Sequence, residues 1–174
     1  TGLYNHGWNV SENEGNGHFW GRGIGWYAMA LVDTISMMPA TYQTQMQPYL
    51  TKLFDGMLKY QDADTGMWYN VVNRKTDLSK NILETSVSSM MAYSLMKAYI
   101  KGYVTDAKYG QAGLAAFNGV VANKVTGSKG SYAVKDTYLK SGVGTSDSYY
   151  TANGYTVDEA KGTGALIMAA TQAN

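Results

Sequence analysis

The chain has 174 residues, a formal net charge of +1 and only 16% charged residues. This balance argues against nucleic acid or an anionic membrane surface as a partner, because both select clustered positive charge. No apolar run approaches the roughly 20 residues of a membrane span, and the lack of cysteine excludes disulfides and thiolate metal sites. Two histidines, His6 and His18, are too few for a histidine-rich metal cluster, so neither a metal nor another cofactor is expected.

The aromatic residues are biased towards rings with a polar group, since fifteen Tyr and four Trp stand against three Phe. Such rings suit a wet, concave binding site, although Tyr also packs well at half-buried positions. Together with the low charge and the many Asn, Thr and Gly residues, this composition leans towards an extracellular or periplasmic protein. A cytoplasmic location stays open.

Five helices are predicted in chain order. The first covers about residues 21–38, where apolar residues recur at helical spacing until Pro39 ends the pattern. The second covers about 41–61, after which a turn at 62–66 leads into a short extended segment at 67–72. The later segments are helices at 83–100, 107–125 and 158–172, loop and short strand at 127–138, and a Gly/Ser/Tyr-rich loop at 141–155.

The sequence contains an internal repeat of about 64 residues. Its first copy, Thr1-Gly2-Leu3-Tyr4, recurs as Thr65-Gly66-Met67-Trp68 and more loosely as Gly130-Ser131-Tyr132. A second pair, Phe54-Asp55-Gly56-Met57 and Phe117-Asn118-Gly119-Val120, is 63 residues apart. Two independent offsets of nearly equal size indicate a repeated unit of two helices and an extended hairpin loop.

The helices alternate between two kinds. Helices one, three and five are nearly free of charge in their middles, so they are predicted to be buried on all sides. Helices two and four carry Lys and Asp on one face, as an outer layer does. The alternation predicts an all-α fold, an α/α toroid or superhelix of antiparallel hairpins. Small residues begin the inner helices, either to let them crowd and admit a ligand or merely to cap them; these are Gly21, Gly23, Gly25, Ser86, Ser88, Ser89, Gly162 and Gly164.

Five helices make two and a half repeats, whereas a closed ring of six hairpins needs well over twice this length. The chain is therefore interpreted as a fragment, as one piece of a cleaved protein, or as an open solenoid that buries its edge against a partner. Its start within a repeat favours the fragment.

The densest candidate site surrounds Arg22, which lies between Trp20 and Trp26 amid three glycines. Glycine costs about 1 kcal/mol relative to Ala inside a helix, a cost that makes sense if a ligand approaches the backbone closely. Trp offers an apolar face for a sugar ring and Arg a bidentate fork for a carboxylate, so together they suit a uronic acid. The alternative is a helix N-terminus with packed Trp and an Arg in an ordinary salt bridge.

A second cluster, residues 4–9, mixes rings and hydrogen-bonding groups in a predicted loop. Its His6 either orients a substrate hydroxyl or moves a proton, or it has no role. Among the carboxylates, Glu84 either caps the third helix or faces the ring axis as an acid. Asp158 and Glu159 are interpreted as caps, and Asp33 as a polar spot near the outer end of helix one. No convincing pair for glycoside hydrolysis emerges.

The stretch FWGRGIGWYAMALVD, residues 19–33, resembles a signature of the unsaturated rhamnogalacturonyl hydrolases of glycoside hydrolase family 105. The related unsaturated glucuronyl hydrolases of family 88 share its Arg-Gly-x-x-Trp core. Further segments resemble family segments in the family's order, namely GLYNHGW at 2–8, ETS with SMMAY within 84–93, and KGTGAL at 161–166. The resemblance implies an (α/α)6 barrel, in which residues 1–174 are the C-terminal part of a single catalytic domain.

The resemblance also implies a reaction. An acid protonates the C4=C5 double bond of an unsaturated uronic residue at the non-reducing end of a pectin fragment, water adds at C5, and the hemiketal opens. The substrate-binding residues carried over from the family are His6, Trp20, Arg22 and Trp26, with His6 as an auxiliary catalytic group. The family's principal Asp precedes the Gly-Leu-Tyr-x-His loop, so it is expected upstream of Thr1. Asn9 stands where the family often has another Asp, which weakens the case for an acid there.

Three hypotheses follow. The chain belongs to a uronyl hydrolase whose N-terminal half lies outside it, and it is inactive alone. Alternatively, it is a non-catalytic carbohydrate-binding or scaffold fragment that needs a partner chain, or a protein-interaction solenoid. The Trp, Arg and His loops argue against the solenoid. The expected partner is an oligosaccharide, whose aglycone depends on loops and on the other half.

Overall fold

The computed structural model describes residues 1–173, which contain five α-helices and three two-stranded antiparallel hairpins. The helices are α1 (Gly21–Ile35), α2 (Ala40–Leu58), α3 (Thr85–Ile100), α4 (Ala107–Lys124) and α5 (Ala160–Ala170). The paired strands are β1 (Trp8–Asn9) with β2 (Glu14–Gly15), β3 (Val125–Ser128) with β4 (Ser131–Val134), and β5 (Thr137–Tyr138) with β6 (Tyr155–Thr156). The predicted helical fold with short extended segments is confirmed.

Several helix ends differ from the prediction by two or three residues, among them the end of α2 at Leu58 rather than at 61, and two of the differences have a local reason. Helix α1 ends at Ile35 because residues 36–38 form a turn, in which the Met37 N–H donates to the Thr34 carbonyl at 2.9 Å. Helix α5 begins at Ala160 rather than at 158. Asp158 has a positive φ of 54°, so it cannot belong to a right-handed helix.

Helix α3 lies at the centre of the array. It packs against α1 on one side, α5 on the other and α4 behind, while α2 packs on α1. Its side chains are buried around almost the whole circumference, and the main core gathers around it. The inner and outer layers of the predicted toroid are thus present. Within residues 1–173, no helix is both long enough and apolar enough to cross a bilayer.

The prediction that all three inner helices are buried on every side is wrong for α1 and α5. Trp26 is 49% exposed and Tyr27 is 36% exposed on α1, and Ile167 is 63% exposed on α5. The reason is position in the array. Helix α3 has inner neighbours on both flanks, whereas α1 and α5 each have one among the described residues.

The internal repeat has a structural counterpart in two close backbone contacts. A Cβ atom on Gly56 of α2 would lie 2.2 Å from the Gly2 carbonyl oxygen, and one on Gly119 of α4 would lie 1.9 Å from the Thr65 carbonyl oxygen. In both copies of the repeat, the Thr-Gly loop therefore crosses an outer helix at the glycine of that helix, Gly56 in α2 and Gly119 in α4. The loop glycines Gly2 and Gly66 also share a positive φ, of 80° and 72°.

We expect Gly56→Ala and Gly119→Ala each to lower the free energy of unfolding by about 1–3 kcal/mol, because the obstructing atom is backbone and cannot rotate away. The matched control is Gly164→Ala in α5, where an added Cβ meets nothing within 4 Å. That change should instead stabilise the helix by up to about 1 kcal/mol. Urea unfolding measures all three, and a neutral Gly56→Ala variant would contradict the crowding argument.

Crowding at the start of the inner helices is also confirmed for several glycines. A Cβ on Gly21 would lie 2.9 Å from Val87 Cγ2, one on Gly25 would lie 2.8 Å from Met90 Sδ, and one on Gly162 would lie 2.0 Å from Thr137 Oγ1. Small residues thus let α1 and α5 approach their neighbours. Gly164 is the exception, since the space around it is open.

Candidate functional site

The N-terminal ends of α1, α3 and α5 meet at one end of the array. Arg22 lies in the first turn of α1, while Glu84 and Glu159 are the N-cap residues of α3 and α5. The charges of both carboxylates act on the Arg22 guanidinium, so the three side chains share one region. Strand β5 closes this end, because the Tyr138 N–H donates to Glu84 Oε1 at 2.8 Å.

Arg22 is 1% exposed, and its Cζ lies 5.0 Å from the centroid of the Trp20 ring. Among the described residues, neither Nη1 nor Nη2 has a hydrogen-bond partner. Burial lowers the pKa of the guanidinium, and the two nearby carboxylates oppose that shift. An arginine still stays charged at neutral pH. The ordinary salt bridge considered as the alternative is therefore absent within residues 1–173, and a buried cation is left without an acceptor.

Glu84 is the cap that the sequence favoured. Its fully buried carboxylate accepts from the Val87 N–H at 2.8 Å, from Ser86 Oγ at 2.8 and 2.9 Å, and from the Tyr138 N–H. The carboxylate thereby satisfies the Val87 N–H in the first turn of α3 and ties β5 to that helix. Because both oxygens of this carboxylate already accept hydrogen bonds from the protein, Glu84 is a structural group rather than a free acid.

The interpretation of Asp158 and Glu159 as caps of the last helix is wrong for Asp158 and holds for Glu159 in position only. Glu159 occupies the N-cap position of α5 but makes no side-chain cap hydrogen bond. Its carboxylate pairs instead with Lys161, which lowers the pKa of Glu159. Asp158 Oδ1 accepts from the Val134 N–H at 2.8 Å and so binds the end of β4. The left-handed backbone of Asp158 turns it away from the helix.

Trp20 and Trp26 lie in different surroundings although they flank the same arginine. Trp20 is only 7% exposed and packs with Val71, Tyr138 and Tyr150, and its Nε1–H donates to Asn70 Oδ1 at 3.0 Å. Trp26 projects from the exposed side of α1 with about half its surface free. The ring of Trp26 is therefore accessible to solvent, whereas Trp20 forms the wall beside Arg22.

His6 lines a pocket of about 280 Å³ together with Tyr4, Asn5, Gly23, Ile24 and Tyr27. Its ring meets the Trp20 ring edge-to-face at 4.8 Å between centroids, and its Nδ1 lies 3.0 Å from Tyr150 Oη. Burial lowers the pKa of the imidazole. Gly23 makes room for the ring, since a Cβ there would lie 2.8 Å from His6 Cδ2.

The loop after β5 belongs to the site, which the sequence did not predict. Tyr150, in a 3-10 turn at Asp147–Thr151, is fully buried and packs against the rings of both His6 and Trp20. Asp147 Oδ1 lies 2.6 Å from His18 Nδ1, and Oδ2 binds Arg74. The only local signal was the Tyr149-Tyr150 pair in a Gly/Ser/Tyr-rich loop. That pattern does not indicate that the loop contacts His6 and His18, which lie 144 and 129 residues earlier than their partners in the chain.

Asp33 lies away from this site, as predicted. Its Oδ1 accepts from Tyr93 Oη and from Lys97 Nζ, each at 2.7 Å, near the C-terminal ends of α1 and α3. The helices run from the site to this cluster, so Asp33 and Arg22 occupy opposite ends of α1. Asp33 therefore supports packing and not the chemistry of the site.

Comparisons with known proteins agree with this architecture. The profile of the family described as Glycosyl Hydrolase Family 88 matches residues 1–174. Protein Atu3128 of Agrobacterium fabrum is 30% identical over 199 residues, covering 97% of this chain and 80% of that protein. Unsaturated rhamnogalacturonyl hydrolase YesR of Bacillus subtilis is 31% identical over 119 residues, covering 67% and 32% respectively. A solved family 105 glycoside hydrolase from C. acetobutylicum superposes with a TM-score of 0.86 at 29% identity, covering 97% of this chain and 49% of that one.

The fold and the residues gathered at its inner-helix N-termini place the chain in the class of α/α-toroid glycoside hydrolases. It belongs to glycosyl hydrolase family 88, and its likeness to a family 105 structure confirms the resemblance predicted from the Trp-Gly-Arg-Gly-x-Gly-Trp motif. The chain spans about half the length of that solved structure and aligns with about a third of YesR.

Proposed function

We propose that the protein to which this chain belongs removes unsaturated uronic acid from the non-reducing end of rhamnogalacturonan-type oligosaccharides. The observation that supports this most is Arg22, a buried guanidinium whose two terminal nitrogens have no acceptor. Such a group is costly unless an anion completes it. A uronate supplies a planar carboxylate that matches the arginine fork. The relative named an unsaturated rhamnogalacturonyl hydrolase supports the same substrate class.

The two carboxylates near Arg22 do not fill this role. Glu84 is saturated by donors of α3 and β5, and Glu159 is paired with Lys161. The fork therefore stays free for a ligand. Both terminal nitrogens are covered by protein, so a substrate carboxylate reaches them only when Arg22 or a covering side chain changes rotamer.

Trp26 supplies the apolar half of the proposed recognition. It follows Arg22 by four residues on α1, a spacing that puts both side chains on one side of the helix. Because Trp26 is half exposed, its ring can stack on the apolar face of a sugar. The arrangement binds a ring with one flat face and one charge.

The proposed reaction is hydration of the C4=C5 double bond. A proton is delivered to C4, water attacks C5, and the resulting hemiketal opens. Opening breaks the C5–O5 ring bond, so the oxygen from water becomes the C5 carbonyl oxygen and C1 becomes a hemiacetal. That hemiacetal collapses to an aldehyde, and the glycosidic oxygen leaves as a hydroxyl of the released saccharide. Glu84 and Glu159 are engaged elsewhere, and the resemblance to family 105 implies a principal Asp before the Gly-Leu-Tyr-x-His loop. We therefore place the proton donor upstream of Thr1, and the chain alone is inactive in this proposal.

The test offers an unsaturated uronyl-rhamnose disaccharide to the full-length protein and follows the ultraviolet absorbance of the double bond. Loss of absorbance with release of rhamnose is the expected result. A saturated galacturonyl-rhamnose disaccharide is the matched control and should not be turned over, because it has no double bond to protonate. Binding of the unsaturated sugar without turnover would instead favour a carbohydrate-binding role.

A further inference from the structure

We propose that Tyr150 is a positioning residue that holds His6 as a neutral hydrogen-bond donor, with its single ring hydrogen on Nε2. The tautomer follows from hydrogen bonds within the chain. The use of the Nε2–H on a substrate oxygen rests on the function proposed above. In this arrangement His6 binds substrate and does not carry a proton.

The argument begins with Asn16, whose amide orientation is fixed by backbone groups. Its Oδ1 accepts from the Gly7 N–H at 3.2 Å and from the His18 N–H at 3.3 Å. Backbone N–H groups only donate, so the atom facing them is the oxygen. The Nδ2 group therefore faces Tyr150 Oη and the Gly144 carbonyl, each at 3.0 Å, and donates one hydrogen to each.

The orientation of Asn16 also fixes the direction of the hydrogen bond between Tyr150 Oη and His6 Nδ1. Its oxygen accepts from Asn16 Nδ2 and from the Gly144 N–H at 2.9 Å, which uses both lone pairs. Among the described residues its third neighbour is His6 Nδ1 at 3.0 Å, which must take the phenol hydrogen. If Nδ1 carried a hydrogen, three donors would face one oxygen. The hydroxyl hydrogen of a fully buried Tyr would then have no acceptor.

His6 Nδ1 is thus an acceptor, and the neutral ring carries its hydrogen on Nε2. The hydrogen bond at one ring nitrogen sets the state of the other. Nε2 has no hydrogen-bond partner within residues 1–173, and His6 lines the pocket that Gly23 and Tyr27 also line. The ring therefore presents one N–H to that pocket. An oxygen acceptor, a hydroxyl or a carboxylate, is the ligand group that fits it.

The two possible roles of His6 differ in how much each would contribute to the reaction rate. A proton shuttle must gain and lose a proton at neutral pH, and such general acid–base catalysis is worth about 10²–10⁴-fold in rate. A neutral donor contributes one hydrogen bond, worth about tenfold or less. Protonating Nδ1 would break the bond from Tyr150, so the network resists the shuttle role.

The first experiment records ¹⁵N NMR of the full-length protein with labelled histidine and assigns His6 from the His6→Gln spectrum. The shifts of the two ring nitrogens should show Nε2 protonated and Nδ1 bare at neutral pH. In Tyr150→Phe, the two tautomers should mix and the pKa of His6 should rise, because the donor that favoured the neutral ring is gone. The control is Tyr138→Phe, which removes a buried phenol from the same cluster without touching His6. Its His6 signals should stay as in the wild type.

The second experiment compares His6→Gln with His6→Ala in turnover of the unsaturated disaccharide. Gln places an amide N–H near the position of Nε2 but cannot titrate. His6→Ala should lose about tenfold in kcat/KM, as expected for one neutral hydrogen bond, and His6→Gln should recover part of that loss. The pH profile of His6→Gln should keep the shape of the wild type.

Two results would overturn the proposal. One is a His6 ring that is charged at neutral pH or protonated on Nδ1. The other is a loss of 10²-fold or more in both His6 variants, which is the size of lost proton transfer. The NMR result needs no substrate, so it stands or falls independently of the proposed hydrolase activity.

Discussion

Replacing Arg22 by Met should remove most turnover of an unsaturated uronyl disaccharide while leaving the fold as stable as the wild type or more stable. The guanidinium is buried and its terminal nitrogens have no acceptor, so the cost of burying its charge is offset only by the Trp20 ring and by the nearby charges of Glu84 and Glu159. Met keeps much of the apolar stem and removes that cost. Losing a buried partner of a carboxylate should cost about 2–5 kcal/mol in the transition state, roughly 30- to 5,000-fold in kcat/KM. Urea unfolding and steady-state kinetics measure the two effects separately.

A substrate control shows whether the loss comes from the carboxylate. The methyl ester of the same disaccharide lacks the charge that the fork would bind, so wild-type protein should discriminate strongly against it. Arg22→Met should turn over acid and ester at similar rates, and Arg22→Lys should fall between, because a single ammonium cannot bind bidentately. Equal discrimination in wild type and Arg22→Met would show that Arg22 does not recognise the carboxylate. A large loss of stability in Arg22→Met would make it a structural residue instead.

Much of the fold was predictable because burial follows local spacing. Helix α3 was visible in the sequence, since uncharged side chains continue around the whole helix from Val87 to Leu95. The outer helices were visible in their one-sided charge. The repeat was visible because a backbone crossing tolerates only glycine, which leaves the same residue at Gly56 and Gly119. These constraints each act over a few residues, so the sequence carries them directly.

The interior of the site was not predictable from the same signals. The spacing placed Trp20, Arg22 and Trp26 together but could not distinguish their surroundings. Trp20 is the extended residue before α1 and forms a β-bridge with Val71, which directs its ring into the cluster around Tyr150. Trp26 lies within the helix and faces outwards. The extended backbone at Trp20 therefore accounts for a buried ring, and the helical backbone at Trp26 for an exposed one.

The partners of the two histidines depend on chain topology. His6 meets Tyr150 and His18 meets Asp147 only because the loop after β5 folds back over the start of α1. Pairing β5 with β6 closes that loop, and Asn70 Nδ2 bonds the Tyr150 carbonyl at 2.6 Å to hold it down. No periodicity encodes a contact of this kind. The polar character of both segments was visible, whereas their pairing was not.

Glu84→Ala should be the most destabilising single change at the site end of the array, at about 3–5 kcal/mol. The carboxylate satisfies the Val87 and Tyr138 N–H groups and the Ser86 hydroxyl where water cannot replace it. Each buried donor left unpaired costs about 1–3 kcal/mol. The loss should also detach β5 from α3, so amide exchange at Tyr138 should rise more than at the centre of α3. Urea unfolding and hydrogen exchange measure the two consequences.

The matched control is Glu159→Ala, which removes the other acidic N-cap residue of an inner helix. Its carboxylate makes no cap bond and pairs with a partly exposed Lys161, so its loss should cost far less stability than the loss of Glu84. Glu84→Gln should fall between the two, because an amide oxygen can keep one donor while its NH₂ group faces another donor. Equal destabilisation by the two alanine variants would mean that the buried bonds of Glu84 contribute no more than a surface pair. The order of stability among these three variants therefore tests whether the Glu84 carboxylate holds β5 and the N-terminus of α3 together. A carboxylate in that structural role is not available as the catalytic acid.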